Sequence, residues 1–149
     1  MKSLKLCNIA LVGALTVAAT QTANARDTAL FLDFDSVVAE ATQAGRLDGS
    51  VKFYLTGETL PGKASIVREV VTNKKTNAFN KSDEEACSWV LQSALITLQD
   101  AAKAAGANAV TDIVSFYKRK EYKSSKQFEC HAGAFVAGTA LKGNLANVK

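Results

Sequence analysis

Hydrophobic and polar positions change period several times along this chain, and each change marks an element. Val51, Phe53 and Leu55 alternate with Lys52, Tyr54 and Thr56, the two-residue period of a half-buried strand. Gly57 to Gly62 reads as a turn around Pro61, the only proline. Ser65 to Thr72 is rich in β-branched residues and predicts a second strand, paired with the first as a hairpin. The polar Asn73 to Lys81 stretch reads as a loop. Upstream, Leu30 to Asp33 is a short apolar lead-in. Asp35 or Ser36 can cap a helix running to about Ala44, with Gly45 as its stop.

The strongest pattern lies between Asp83 and Ala105. Cys87, Val90, Leu91, Ala94, Leu98, Ala101, Ala102 and Ala105 recur at spacings of three and four, which gives a helix one apolar face. Ser82 stands three residues before Glu85, a capping-box spacing, and Gly106 follows where a left-handed cap is wanted. Trp89 falls off that face. Val110 to Tyr117 and Phe128 to Leu141 predict two further strands, joined by a polar hairpin region. The expected fold is α+β: a two-layer sandwich in which a four-stranded, mainly antiparallel sheet packs against one long helix. A short helix lies at its side, and the order is α-β-β-α-β-β.

The first 25 residues change the picture. Lys2 and Lys5 precede an apolar run from Leu6 to about Thr20, and Ala23-Asn24-Ala25 follows, the three parts of a cleavable export signal. The run is shorter than the roughly 20 apolar residues a spanning helix needs. The expected mature chain is therefore a single domain over residues 26–149, periplasmic and not membrane-spanning. Without Lys2 and Lys5 the 18 basic residues become 16 against 14 acidic ones, a net charge of +2, too small to point to nucleic acid. Cys7 leaves with the signal. Cys87 and Cys130 then remain as an even pair in an oxidising compartment, which favours a disulfide over two free thiols or a metal site. Alternation along the last strand sets Cys130 toward the helix and His131 away from it, on the side of Glu129 and Gln127. Cys87, Cys130 and His131 therefore do not converge on a metal, and His131 does not reach a thiol as a base.

No serine stands in a nucleophile-elbow motif, and His131 is the only histidine. Asp33 and Asp35 read as capping and turn residues. The surface feature with functional character is the basic, aromatic stretch of Tyr117, Lys118, Arg119, Lys120, Tyr122 and Lys123. It could contact an acidic protein or an anionic envelope component, but it reads first as a solvated hairpin tip whose lysines guard a strand edge.

From Ser82 onward the run SDEEACSWVLQSALITLQDAAKAAGANAVTDIVSFYK, followed by FECHAGAFVAGTALKG, resembles small secreted bacterial proteins of unknown function that commonly carry an excinuclease ABC label, that of its ATPase component. The long helix ending in GANAV, then strands ending in AGTAL, is similar to the Rcs envelope-stress sensor lipoprotein and to a heavy-metal-binding family. That likeness implies a compact α+β module built for binding. The excinuclease label itself meets an obstacle at Gly57 to Ala64. The spacing matches a phosphate loop as far as Lys63, but Ala64 stands where a magnesium-binding hydroxyl is needed, and Pro61 removes an amide. A phosphate loop also opens a helix, whereas Ser65 to Thr72 predicts a strand. The function expected is that of a non-catalytic periplasmic binding or interaction protein, with a partner in the envelope, no cofactor, and a role in envelope homeostasis or stress sensing. The alternative is an oligomeric module that binds a small ligand or metal.

Overall fold

The computed structural model describes residues 25–149; the expected export signal, except for its last residue Ala25, lies outside the described residues together with Cys7. The fold is α+β, with six strands and two helices: β1 (Thr28–Asp33), α1 (Phe34–Gln43), β2 (Lys52–Leu55), β3 (Ala64–Asn77), α2 (Asp83–Ala104), β4 (Ala109–Ser115), β5 (Gln127–Ala132) and β6 (Val136–Val148). The expected four-stranded, two-layer sandwich of order α-β-β-α-β-β is thus corrected to a larger curled sheet that begins with a strand.

The sheet is organised by β6. Along one edge β3 pairs with it antiparallel, from Ala64 opposite Val148 to Asn77 opposite Val136. Along the other edge β5 pairs with its first residues and β4 with its second half, both antiparallel. Beyond these lie β1, antiparallel to β5, and β2, parallel to β4. The expected hairpin of β2 with β3 does not form. At 4 residues β2 would leave most of the 14-residue β3 without backbone partners, whereas the 13 residues of β6 satisfy nearly all of it.

The stretch Phe128 to Leu141, read as one strand, is broken into β5 and β6 at Gly133. There the N–H donates to the Val136 carbonyl at 2.8 Å, closing a tight turn. A Cβ at Gly133 would stand 3.0 Å from the Arg26 carbonyl, so the position suits glycine. Asn73 to Asn77, read as loop, continues β3. Its polar side chains belong to an outer strand wetted on one face.

Both helices begin on side-chain caps. Ser82 accepts from the Glu85 N–H at 3.0 Å, and three acidic residues sit in the first turn of α2, at the positive end of its dipole. The cap of α1 is Asp33, which accepts from the Ser36 N–H at 2.7 Å, rather than Asp35 or Ser36. The helix starts earlier because Phe34 is fully buried and must already point inward. One face of α2, built from Cys87, Val90, Leu91, Ala94, Leu98 and Ala102, packs on β3 and β6 around Phe34, Phe128, Leu141 and Leu145. Two buried glutamines tie the loop after α1 to this helix: Gln92 accepts from Arg46 at 2.6 Å and Gln99 from the Asp48 N–H at 3.0 Å. Arg46 also lies 4.4 Å over the Trp89 ring, which places that residue beside the loop.

Cys87 on α2 and Cys130 on β5 are joined by a disulfide, with Cα atoms 5.9 Å apart and both residues fully buried. It closes a loop of 43 residues and ties the helix to the core-facing side of β5. Replacing both cysteines with alanine is expected to lower the unfolding free energy by about 4 kcal/mol, read as a urea midpoint below that of the disulfide-bonded protein.

Candidate functional site

The face of the sheet turned away from α2 carries the chemistry. Alternation sets Phe128, Cys130 and Ala132 of β5 in the core and leaves Glu129 and His131 on the outer face. Register then places Ala29 of β1 beside His131 and Phe31 beside Glu129. Over these residues runs the chain between β4 and β5. It is a cover and not a hairpin tip, because β4 and β5 both pair with β6, end to end along the same edge.

The basic stretch therefore uses its aromatic residues for packing. Tyr117 stacks on His131, with ring centroids 3.6 Å apart and planes at 11°, and Tyr122 packs on Phe31 at 4.6 Å. The turn that delivers Tyr117 has Lys118 and Arg119 at φ 49° and 63°, left-handed backbone that non-glycine residues adopt only where their surroundings hold it. Lys118 reaches Asp27 at 3.5 Å, while Lys123 and Lys142 both reach Glu121. Arg119 and Lys120 stay exposed. Of the six residues expected to form a contact surface, the two tyrosines are thus packed inward and the four basic residues stay exposed, two of them beside an acidic partner.

His131 is held from both sides. Asp27 Oδ1 lies 2.8 Å from Nδ1 and Glu129 Oε1 lies 2.6 Å from Nε2. With both ring nitrogens engaged by carboxylates, neither is free for a bound substrate or a metal. Hydrogen bonding to His131 holds the Asp27 carboxyl below the usual carboxylate range, and Lys118 adds to the effect. Next to it, Arg26 makes two 2.8 Å bonds to Asp83 at the start of α2 and a third, at 2.9 Å, to the Gly133 carbonyl. The start of β1, the start of α2 and the β5–β6 turn therefore meet at one arginine.

Between these groups lies a cleft of about 650 Å³, lined by Asp27, Asn73, Lys75, Tyr117, Lys118 and His131. It adjoins a second, apolar hollow of about 670 Å³ around Phe79, Phe135 and Val136. Phe79 and Phe135 stack with centroids 5.7 Å apart yet are 54% and 66% exposed, and Val136 is 49% exposed. These three side chains leave apolar surface open to solvent beside the polar cleft. Sequence reasoning set Glu129 and His131 on one face but missed Asp27, Lys75 and the Phe79–Phe135 pair. They reach the site from separate segments, and His131 and Asp27 stand 104 residues apart. A two-residue period carries no signal for such a contact.

The stretch compared with a phosphate loop leads into β3. The Glu58 side chain accepts from the Leu55 N–H, and Lys63 pairs its backbone with Lys149. No group of three or more His, Cys, Asp or Glu residues able to hold a metal occurs among the described residues, and no described helix is long and apolar enough to cross a membrane.

Asp27, Asp83 and Glu121 are all depressed by hydrogen-bonded partners, respectively His131, Arg26 and Lys142. A carboxylate depressed in the folded state contributes stability above its unfolded value, about 3.9 to 4.3, and loses it as pH falls through the folded value. Glu58, raised by burial, acts in the opposite sense. Urea midpoints are therefore expected to fall below about pH 4. In His131→Ala the fall is shallower, and the Asp27 carboxyl carbon titrates nearer its ordinary value by NMR.

No family model and no curated protein matches the chain. Among solved structures, a protein of unknown function from Pediococcus pentosaceus, belonging to the DUF74 family, is similar at 7% identity with a TM-score of 0.42, covering 66% of this chain and 96% of that one.

Proposed function

We propose that the protein is a non-catalytic binding or interaction protein of the bacterial periplasm, serving envelope homeostasis or stress sensing. It contacts its partner through the outer face of the sheet. The observation that carries this reading is the Phe79, Phe135 and Val136 patch, exposed to solvent beside the cleft that Lys118 lines. An apolar patch bordered by Lys75, with Lys118 in the adjoining cleft, suits an envelope protein with apolar and acidic residues side by side. The buried disulfide suits an oxidising compartment. Both ring nitrogens of His131 are spent on Asp27 and Glu129, so the histidine orders the site instead of moving protons.

A second reading, binding of a small ligand, is favoured by the 650 Å³ cleft, which lies in the usual size range for such sites. Native mass spectrometry of protein taken from the periplasm separates the two readings. Under the first the chain starts at Arg26, is 2 Da light for its disulfide and carries no small ligand; under the second it carries a stoichiometric bound mass.

Photo-crosslinking residues placed singly at Lys120 and Phe135 are expected to give a discrete adduct of a mass other than the doubled chain, weakened by Phe79→Ser. A probe at Asp100, exposed on α2, is expected to give none. Absence of any adduct from the first two positions overturns the reading, as does a hydrolytic or transfer activity of the pure protein that one substitution abolishes.

A further inference from the structure

The longest strand of the sheet is also an open edge. β3 pairs with β6 on one side only, and it carries three of the large exposed apolar side chains, Ile66, Val67 and Val71, at 59%, 46% and 51% exposure. Its hydrogen-bonding phase is fixed by the Ala78 N–H, which donates to the Phe135 carbonyl at 2.9 Å. From there the register runs unbroken back to Arg68 opposite Leu145. Because hydrogen-bonded pairs recur at every second residue, Arg68, Val70, Thr72, Lys74 and Thr76 direct their backbone groups to β6. Glu69, Val71, Asn73, Lys75 and Asn77 direct theirs to the open edge. A bulge at Val67, where the register shifts, interrupts only the first part of the strand.

The ten residues of regular register from Arg68 to Asn77, unpaired on one side, are a template for another strand. Lysine on an edge ordinarily deters pairing, and Lys74 and Lys75 stand near the end of this one. The acid Glu69 stands six residues before Lys75 on the same outer face, and that separation of charge decides what the edge accepts. A parallel, in-register copy sets Lys75 against Lys75. An antiparallel copy brings opposite charges together.

We infer that β3 is the interface of a two-fold homodimer, in which the β3 strands of two copies pair antiparallel about an axis at Thr72 and the two sheets become one. Open-edge residues then meet open-edge residues, as the ladder requires. Glu69 faces the partner's Lys75, and by symmetry Lys75 faces the partner's Glu69. Val71 of each copy is the diagonal neighbour of Val71 across the axis, and Arg68 faces the partner's Thr76, so no like charges stand opposed. The bulge advances the chain by one residue and brings the partner's Ile66 to Asn77. The exposed apolar residues of the edge are thereby covered by the copy that carries the same residues, an isologous contact.

The dimer also alters the cleft. Asn73 and Lys75 line it from β3, so the partner's Glu69 and Val71 come to its rim, and two clefts lie on one face of one sheet.

The test uses the oxidised protein in light scattering coupled to size exclusion, over a dilution series from about 0.1 mM. A mass of two chains is expected, shifting toward one as salt rises. Glu69→Lys and Lys75→Glu each put like charges in register twice and are expected to weaken the dimer about tenfold or more. The double exchange, Glu69→Lys with Lys75→Glu, is expected to restore it. Val71→Pro removes an amide that only the open edge uses. It is expected to give a monomer that keeps the circular dichroism of the folded, disulfide-bonded chain. A monomer at every concentration overturns the inference, and so does a dimer that survives both single exchanges and the proline.

Discussion

Everything in this fold depends on satisfying the backbone of β6 on both sides. Thirteen residues from Val136 to Val148 present amides and carbonyls to two edges, and no single strand of the chain covers both. One edge is taken by β3 over nearly its whole length, and the other is shared by β5 and β4 in succession. That sharing curls the sheet and gives it two arms, one ending in β1 and the other in β2. It also forces the chain between β4 and β5 to cross the outer face, where its tyrosines find partners.

Much of this was legible wherever the signal was local. The helix α2 was readable to within one residue from its period and its Ser82 cap, because both are properties of neighbours in the chain. Side-chain alternation likewise set Cys130 and His131 on opposite faces. Pairing partners were not legible. Two strands with a turn between them look like a hairpin, and nothing between Leu55 and Ala64 announces that β2 pairs instead with β4, across a helix and in parallel. The break between β5 and β6 was hidden for another reason. Gly133 and Ala134 are small residues among small residues, and what makes them a turn is the nearby Arg26 carbonyl, more than 100 positions away. The end of β3 reads as loop in the sequence because lysines and asparagines suit both.

The candidate site follows the same rule. His131 and Glu129 share a face by alternation, yet what gives the face its character comes from elsewhere: Asp27 from the chain start, Tyr117 from a left-handed turn, Phe79 and Phe135 from two separate turns. The disulfide behind them fixes the inner side of the same strand. Cys130 is anchored to α2 while its neighbours Glu129 and His131 carry the outer network, so the rigidity of the core reaches the cleft through a single strand.

The pairing of β1 with β5 sets an order of events. Thr28 lies opposite Ala132 and Asp33 opposite Gln127, so the first strand to be made has its hydrogen-bonding partners about a hundred residues later in the chain. Contacts of such long sequence separation form late, since the intervening loop must be closed first. A chain emerging N-terminus first, from a ribosome or through a membrane pore, therefore carries β1 unpaired until nearly all of it is out. Arg26 likewise meets the Gly133 carbonyl only then, 107 residues on. The architecture thus leaves β1 without its sheet partner until the last strands have been made.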